Sequence, residues 1–559
     1  MNFLNYAVIL LFFAVIIVPA PFIGKYLARL YALPVNGKGV YGRIESFFYR
    51  LCAVKSDRGM NWKEYTFALM AFNMIGFLVL FFMQMFQHLL PLNPQNLPGV
   101  PWDLALNTAV SFMTNTNWQA YSGEALLGYF TQMMGLGVQN FVSAATGMVV
   151  AVALIRGFNN KQSSDLGNFW VDLTRSTLFV LLPLSILVAL ILVGQGVVQS
   201  FHGYFEASTL EGVKQLIPVG PAASQIAIKQ LGTNGGGFFG VNSAHPFENP
   251  TPFSNFVEVV SILLIPFAFP FFWGYMTNRP RHGLAIFAAM LIMLVSGLLI
   301  MLYSEYGFKA LSANMEGKEM RFSVSDCVLW ASSTTAASNG SVNCMHDSLT
   351  PIAGMIAMFQ LQLGEVIFGG VGAGMYGMLH FIILTVFIAG LMVGRSPEYL
   401  GKKIESFEVR MSMIAVLAPN LMIMLGTAIA VATEVGRTPI SNPGPHGFSQ
   451  VLYAFSSAAG NNGSAFAGIG VNTVFYNCML ALAMFVGRFG VIIPGLALAG
   501  SVAEKKVIPL SSGTFPVDRA MFVGLLIGVV LIIGGLSFFP ALALGPIVDH
   551  LLMTGGRFF

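Results

Sequence analysis

The chain has 559 residues, 55% of them hydrophobic and only 9% charged, with a mean hydropathy of +0.73. Soluble globular chains carry roughly 25% charged residues, so this composition excludes a soluble protein and indicates one that crosses a membrane many times. The formal net charge of +4 is small for this length and does not identify a partner.

The N-terminal apolar segment runs to Pro21 and is followed by Lys25 and Arg29. A signal peptide carries its positive charges before its apolar run, not after it. We therefore expect a retained membrane-spanning helix whose N-terminus lies outside.

Ten segments are apolar and long enough, at roughly 20 residues each, to cross a bilayer. With the N-terminus outside, the inner loops hold 20 Lys and Arg residues and the outer segments hold seven. Positive residues concentrate on the cytoplasmic side of membrane proteins, which favours this orientation and places both termini outside. The ten segments lie near 6–24, 64–86, 128–155, 176–199, 253–277, 283–303, 374–394, 410–433, 472–500 and 520–546.

Four shorter helical segments, each of roughly 10–12 residues, lie on the outer side between pairs of spans and are too short to cross a bilayer. Asp103 and Ser325 are possible N-caps for two of them. Each segment runs into a cluster of small and amide residues. The segments are 103–113, 222–231, 325–335 and 448–458, and the clusters are Thr114–Gln119, Gly232–Gly237, Ala336–Ser341 and Ala459–Ser464.

One such cluster alone is more typical of a turn. Four clusters in register at membrane depth, where irregular backbone must line a cavity, indicate four re-entrant loops around one axis. We align Gln119 with Gly235, Gly340 and Gly463, at intervals of 116, 105 and 123 residues. In this alignment Trp118-Gln119 stands where the other clusters have Asn-Gly, so Gln119 is expected to contribute its side chain.

The clusters suit a cation filter. Backbone carbonyls can replace the water shell of a dehydrated cation, and glycine reaches the necessary backbone angles without a steric penalty. Neighbouring hydroxyl and amide groups can add ligands or brace the loops, and the C-terminal ends of the short helices favour a cation. The residues expected to bind it are Thr116, Asn117, Gln119, Thr233, Asn234, Gly235, Ser338, Asn339, Gly340, Asn461, Asn462 and Gly463.

Three acidic residues follow the first three clusters, and either they attract cations to an outer mouth or they are ordinary loop acids. The four cysteines show neither zinc-site nor disulfide-framework spacing, so no structural metal and no disulfide is expected. The acids are Glu124, Glu248 and Asp347, and the cysteines are Cys52, Cys327, Cys344 and Cys478.

Arg488 lies mid-way along the ninth apolar segment, where an ionisable residue usually faces a polar cavity. We favour a charge beneath the filter that limits leakage over a structurally paired arginine. Residues 364–374 form a glycine-rich break, containing Glu365, Gly369 and Gly370, that is either a gate or a flexible connection.

Several longer motifs identify a family. The chain resembles, over nearly its full length, the potassium-binding A subunits of bacterial Kdp-type potassium-transporting ATPases. The motifs that carry this resemblance are Asn107–Phe112, Thr114–Gln119, Gly232–Phe239, His245–Pro250, Gly394–Lys403 and Gly444–Ser449.

The resemblance implies an all-α polytopic membrane protein with the superfamily-of-potassium-transporters fold, ten transmembrane helices and four helix–pore-loop–helix repeats. We expect the repeats at 63–157, 174–278, 282–396 and 408–502, between an N-terminal helix at 1–30 and a C-terminal helix at 515–559.

The resemblance also implies K+ as the bound ion and a complex in the bacterial inner membrane. The partners would be a P-type ATPase B subunit, a C subunit, a small F subunit and membrane lipid, without nucleic acid. By the same resemblance Arg488 matches an arginine beneath the filter and 364–374 a gating loop in the third repeat. Arg395 matches a charged position near the inner end of that helix.

ATP hydrolysis is expected to reside in another chain. The sequence has no Gly-x4-Gly-Lys-Ser/Thr phosphate loop and no Asp-Lys-Thr-Gly-Thr phosphorylation motif. We therefore predict a non-catalytic, ion-selecting subunit of an ATP-driven importer. The alternative is a self-sufficient secondary transporter or channel of the same superfamily.

Overall fold

The computed structural model describes residues 3–35, 39–52, 54–307, 315–392, 394, 397–508 and 515–556. Within them, ten helical segments are long and apolar enough to cross a membrane, and they coincide with the ten predicted segments. We refer to them as the first to tenth spans. They are Phe3–Ala32, Trp62–Met85, Thr131–Asn159, Phe169–Gly194, Pro252–Met276, Pro280–Gly307, Ala373–Met392, Ser406–Ala432, Val474–Glu504 and Ala520–Thr554.

Four of the spans contain an irregularity in the helix. The first comprises Phe3–Ile17 and Ala20–Ala32, with Pro19 between them. Wider π-helical turns, which often mark functional sites, interrupt the third, fourth and tenth. The third comprises Thr131–Gly137 (π) and Val138–Asn159; the fourth Phe169–Arg175, Ser176–Leu181 (π) and Leu182–Gly194; the tenth Ala520–Leu542, Ala543–Ile547 (π) and Val548–Thr554.

The four short helices are present and are here called the first to fourth pore helices. The third pore helix is capped by Ser323, not by Ser325, through a capping box with Asp326. Asp103 is not the N-cap of the first pore helix, because that helix begins at Trp102 and Pro101 occupies the N-cap position. The four helices are Trp102–Met113, Ala222–Leu231, Val324–Ala336 and Gly444–Ala459.

The remaining elements are short and lie between the spans. They are helices Val40–Leu51, Gly123–Leu126, Pro351–Gln362 and Glu434–Arg437, 3-10 turns Gln87–Leu89, Asn242–Ala244 and His346–Ser348, and two antiparallel hairpins. The hairpins pair Phe205–Ser208 with Lys214–Ile217 and Glu398–Tyr399 with Lys402–Lys403.

The third span lies in the interior and the first at the periphery. The most apolar window of the third span is 83% buried, against 22% for the first. All residues of the second pore helix except Ser224 are buried. A pore helix held among the inner spans can place its C-terminal loop at membrane depth, although it is itself too short to cross.

The helical segment that follows the third pore helix is broken ahead of the seventh span. This segment begins as Pro351–Gln362, is not helical over 363–372, and continues as the seventh span, Ala373–Met392. The spans that follow the other three pore helices have 29, 25 and 31 residues without such a gap. The glycine-rich break predicted at 364–374 is therefore present, and among these four spans it occurs only in this one.

Lys402 joins the C-terminal ends of two interior spans. Its ammonium donates to the carbonyl oxygens of Gly157 (3.0 Å), Asn160 (2.6 Å) and Val502 (2.7 Å), which terminate the third and ninth spans. A cation at helix C-termini satisfies carbonyls that have no partner within the helix. Burial lowers the pKa of Lys402 to about 8.

A disulfide joins Cys327, in the third pore helix, to Cys344, just beyond the third cluster. The expectation of no disulfide was wrong. The loop turns back beside its own helix and brings together two cysteines 17 residues apart, a spacing that matches no familiar sequence pattern. Cys52 and Cys478 are free.

Alkylation of the denatured, unreduced protein should therefore label two thiols, and alkylation after reduction should label four. Intact-mass spectrometry with N-ethylmaleimide measures both numbers. Labelling of four thiols before reduction would contradict the disulfide, and a Cys478→Ser variant should lower each number by one.

Candidate ion-binding site

The loops that follow the four pore helices contact one another in a closed ring. A β-carbon added to a glycine in the second, third or fourth loop would overlap a carbonyl oxygen of the next loop. The first loop contacts the second through Asn115, whose Nδ2 donates to the Thr233 carbonyl (3.0 Å). The overlapping pairs are Gly235 with Asn339, Gly340 with Asn462, and Gly463 with Thr116.

The backbone follows the same pattern in all four loops. In each loop, one residue of negative φ lies between two residues of positive φ. Alternation of this kind turns successive N–H groups to one side of the chain and, consequently, successive carbonyls to the other. The positive-φ pairs are Asn115 and Asn117, Thr233 and Gly235, Ser338 and Gly340, and Asn461 and Gly463.

The N–H groups of the loops face back toward their own pore helices. In each loop the residue between the two positive-φ positions donates to the helix carbonyl five residues earlier. The carbonyls of these residues lie on the opposite side of the chain, and carbonyl oxygens are ligands that can replace a cation's hydration shell. The bonds are Thr116 to Ser111 (2.9 Å), Asn234 to Lys229 (2.8 Å), Asn339 to Thr334 (3.1 Å) and Asn462 to Ser457 (2.8 Å).

The structure corrects the alignment of the first loop. Asn117, with φ +53°, occupies the position that glycine holds in the other three loops, two residues before Gln119. Asparagine tolerates this conformation better than most side chains, so the Asn-Gly pattern that guided the alignment is not required here. Gln119 lies two residues beyond this position and pairs with the Gly237 backbone, accepting from N (2.9 Å) and donating to O (3.1 Å).

The amide side chains of the clusters brace the ring. Asn339 in the third loop donates to the Lys229 carbonyl at the end of the second pore helix (3.0 Å). Asn462 in the fourth loop donates likewise to the Thr334 carbonyl of the third pore helix (2.8 Å). Each contact satisfies a helix-terminal carbonyl and fixes one loop to the preceding helix.

Further polar contacts join neighbouring loops to one another and join the first two loops to the third span. Ser338 Oγ donates to the Asn461 carbonyl (2.9 Å), and Asn461 Nδ2 donates to Thr116 Oγ1 (3.0 Å). Asn140, in the third span, accepts from Asn117 (2.7 Å) and, through its carbonyl, from Asn234 (3.2 Å). The ring is therefore held by side chains as well as by its backbone.

Sequence reasoning missed residues that lie outside the clusters. Asn242 donates from Nδ2 to the Gly235 carbonyl (2.7 Å), and Asn140 and Ser143 contact the first two loops from the third span. Asn115 was also missed as a contact between loops, although it lies within the first cluster. Polar residues inside an apolar span were an available signal, whereas nothing in the sequence distinguishes Asn242 from a loop asparagine.

The break at 363–372 lies against the second and third loops. Gly369 N donates to the carbonyl of Ala336, the last residue of the third pore helix (3.0 Å), and Val371 N donates to Thr233 Oγ1 (2.9 Å). Gly370 lies beside Thr233 Oγ1, where an added β-carbon would be 3.2 Å away. Glu365 is buried beneath Gly460.

Arg488 lies next to this break. Its Nη2 donates to the Ser143 carbonyl (3.2 Å), and a β-carbon on Gly147 would meet both Arg488 Nη2 (3.2 Å) and the Val371 carbonyl (2.5 Å). Met484, one helical turn earlier, accepts from Asn461 of the fourth loop (2.9 Å), so Arg488 lies about 6 Å further along the helix than that contact. Arg395 lies outside the described residues.

A family model described as the potassium-transporting ATPase A subunit, KdpA, matches residues 10–551. This chain belongs to the KdpA family. A relative from Sorangium cellulosum is 56% identical over 97% of this chain and 98% of its own length, and one from Pseudomonas fluorescens is 55% identical over 99% and 100%. Both are named potassium-transporting ATPase potassium-binding subunit.

The fold of this KdpA-family chain is also found in a solved transporter. The crystal structure of the potassium transporter TrkH from Vibrio parahaemolyticus superposes with a TM-score of 0.53, covering 88% of this chain and 98% of that one. Sequence identity is 13%, so this likeness shows the fold alone. It supports the predicted all-α polytopic membrane fold.

The three acids that follow the first three clusters of this KdpA-family chain do not form a ring of unpaired carboxylates. Glu248 is fully buried against Lys229 (2.6 Å), and Asp347 pairs with His446 (2.9 Å). Glu124 accepts from Gly240 N (2.7 Å), and burial raises the pKa of its carboxyl. Of the two alternatives for these acids, attraction of cations to an open mouth gains no support.

His446 connects the fourth pore helix to two other segments. Its Nε2 lies 2.9 Å from Asp347, after the third loop, and its Nδ1 lies 2.9 Å from Asp549 in the tenth span. Burial alone would lower the pKa of His446, but hydrogen bonds to the two carboxylates outweigh it and raise the pKa to about 9. The imidazolium is therefore the form present at neutral pH.

The raised pKa predicts an alkaline loss of stability. Because the folded pKa of His446 exceeds the unfolded value of about 6.5, its stabilisation is complete below about pH 6.5 and disappears as pH rises through 9. It amounts to at most about 3 kcal/mol. The melting temperature of detergent-solubilised protein should fall more steeply between pH 7 and 10 in wild type than in His446→Gln.

The exposed His88 offers the matched control, since His88→Gln should reproduce the wild-type pH profile. Parallel profiles for wild type and His446→Gln would contradict an imidazolium at His446 that is held between Asp347 and Asp549.

Proposed function

We propose that this chain is the potassium-binding and potassium-selecting subunit of a potassium-transporting ATPase. The single observation that carries the proposal is the closed ring of four loops with alternating backbone conformation, found in a KdpA-family chain. Relatives that share more than half of its residues bear the name of the potassium-binding subunit. A ring of carbonyls offers a monovalent cation oxygen ligands without the desolvation cost of buried carboxylates.

In the proposed site, the carbonyl oxygens of the four loops replace the water shell of K+. The proposed filter residues remain the twelve of the prediction, with Asn117 taking the position first given to Gln119. Their amide side chains act mainly as braces, because the structure bonds them to helix ends and to neighbouring loops. Gln119 holds the outer edge of the second loop.

Arg488 and the break form the proposed barrier beneath the filter. A fixed positive charge repels a cation that leaves the ring inward, and the bonds from Gly369 and Val371 keep the break in place. Glu365, Gly369 and Gly370 are the proposed gating residues on the break, and Arg395 is proposed to act at the inner end of the same helix.

We extend this proposal to orientation and domain boundaries. Both termini would lie on the extracytoplasmic side of the bacterial inner membrane, because the predicted cytoplasmic loops hold 20 of the 28 Lys and Arg residues. The disulfide after the third pore helix supports an extracytoplasmic position for that loop, because disulfides persist in oxidising compartments. The four proposed repeats keep the limits 63–157, 174–278, 282–396 and 408–502.

The proposed partners are a P-type ATPase B subunit, a C subunit and a small F subunit. Their support is indirect. The relatives are named as subunits of an ATPase, and this sequence lacks both phosphate-loop and P-type phosphorylation motifs. The chemical energy for uptake would then come from another chain.

Gly235→Ser tests the filter. The added β-carbon overlaps the Asn339 carbonyl, and φ of +88° disfavours any side chain. We expect apparent K+ affinity to fall at least about tenfold, equivalent to roughly 1.4 kcal/mol, with weaker discrimination against Rb+ and Na+. Ion-stimulated ATPase activity of the purified complex measures both.

Gly524→Ser is the matched control, since a β-carbon at Gly524 meets no atom within 4 Å. Wild-type affinity and selectivity in a correctly assembled Gly235→Ser complex would count against the second loop as part of the filter.

Reconstitution separates the proposal from a self-sufficient transporter or channel. Liposomes that contain this chain alone should show no concentrative K+ uptake, whereas liposomes that contain the whole complex should show uptake that requires ATP. Uptake by the isolated chain, driven by an ion gradient alone, would favour the alternative. Rubidium-86 flux measures both preparations.

A further inference from the structure

Lys229 places a positive charge directly behind the second filter loop. It lies in the last turn of the second pore helix, and its side chain is fully buried. Its ammonium donates to three groups at once: Glu248 Oε2 (2.6 Å), Asn242 Oδ1 (2.8 Å) and Ser243 Oγ (2.9 Å). Every N–H of the ammonium therefore has a partner.

The backbone of Lys229 holds two loops of the ring. Its carbonyl accepts from Asn234 N (2.8 Å), from Gly235 N (3.1 Å) and, across to the third loop, from Asn339 Nδ2 (3.0 Å). The residue that anchors two filter loops thus also carries the charge. A cation-binding site disfavours a neighbouring positive charge unless a counter-charge accompanies it.

Glu248 supplies that counter-charge and is itself fixed. Its Oε1 accepts from Phe239 N (2.9 Å), and a β-carbon on Gly237 would lie 2.7 Å from the same oxygen. The carboxylate is fully buried against the outer part of the second loop. A second carboxylate, on Glu258, is reached only indirectly, through Ser243 Oγ (2.9 Å).

Asn242 connects the charged pair to the filter backbone. It accepts from Lys229 and donates to the Gly235 carbonyl (2.7 Å), so two hydrogen bonds separate the ammonium from that oxygen. A change of charge at this pair acts on the ring by two routes. It alters the electrostatic potential at the site, and it alters the orientation of a carbonyl in the second loop.

We infer that Lys229 and Glu248 are specificity-determining residues, which set the cation affinity of the filter through their opposing charges. This inference rests on the proposed function of the ring. A buried ion pair can equally serve packing alone, but the two roles predict different signs. In a packing role, loss of either partner weakens ion binding, whereas in an electrostatic role the two losses act in opposite directions.

The test measures apparent affinity for K+ and discrimination against Na+ in the assembled complex, by ion-stimulated ATPase activity. Glu248→Gln leaves the ammonium without its direct counter-ion and should lower K+ affinity by roughly tenfold, the effect of an unbalanced charge within about 10 Å. Lys229→Met leaves the carboxylate without its counter-ion and should therefore raise K+ affinity and weaken discrimination against Na+. The double variant should lie between the two.

The chain offers a matched control in the same outer segment. Lys214 and Glu206 form an exposed pair at 3.3 Å in the Phe205–Ile217 hairpin. Lys214→Met and Glu206→Gln make the same charge changes away from the ring, where solvent screens them. Neither substitution should shift K+ affinity by more than about twofold.

Equal losses of affinity in Lys229→Met and Glu248→Gln, with a greater loss in the double variant, would overturn the inference in favour of packing. Unchanged affinity in all three variants would also overturn it. If Glu248→Gln does not assemble, Glu248→Asp keeps the charge and should retain affinity within threefold, and a tenfold loss there would count against the electrostatic role. If Gly235→Ser lowers K+ affinity while Lys229→Met and Glu248→Gln cause equal losses, the electrostatic role of the ion pair is rejected. The proposed filter is then still supported.

Discussion

The structure depends on how closely four segments of backbone approach one another. In three of the four loops, the α-carbon of a glycine packs against a carbonyl oxygen of the next loop, with no room for a β-carbon. This contact closes the ring, and the alternating backbone conformation turns successive carbonyls to the side of each loop away from its pore helix. The pore helices, the amide braces and the inner spans all serve to hold these short segments in place.

Side chains of the clusters have a different role from the one their composition suggests. Asparagine and serine oxygens near an ion site look like ligands, yet in this structure these side chains mainly tie a loop to the preceding helix or to its neighbour. Burial explains the preference, since a pore helix that ends inside the protein leaves carbonyls that need donors. An amide from the adjacent loop satisfies this need and sets the spacing of the loops.

Sequence reasoning predicted the ten spans and four pore helices because hydrophobic length is a strong one-dimensional signal. It also found the break, because several glycines around Glu365 interrupt an otherwise apolar segment. Its errors arose where position depends on the third dimension. Gln119 was aligned by residue similarity, whereas the backbone places Asn117 at that position.

The Cys327–Cys344 disulfide and the Lys229–Glu248 ion pair likewise required the fold. Nothing in the local sequence shows that a loop turns back toward its own helix or that a lysine is buried. Capping failed for a smaller reason: the helix begins at Val324, so Ser323 precedes it as the cap, whereas Ser325 lies within its first turn.

The break has a consequence for how such a protein can be built. It follows only the third pore helix, and it contacts the second and third loops through Gly369 and Val371 and the fourth loop through Glu365 beside Gly460. In an assembly of four identical subunits, a break in one subunit would be present in all four. Any sequence change in it would also occur four times. A single polypeptide escapes that restriction, so one segment can carry a break while the spans that follow the other three pore helices remain continuous.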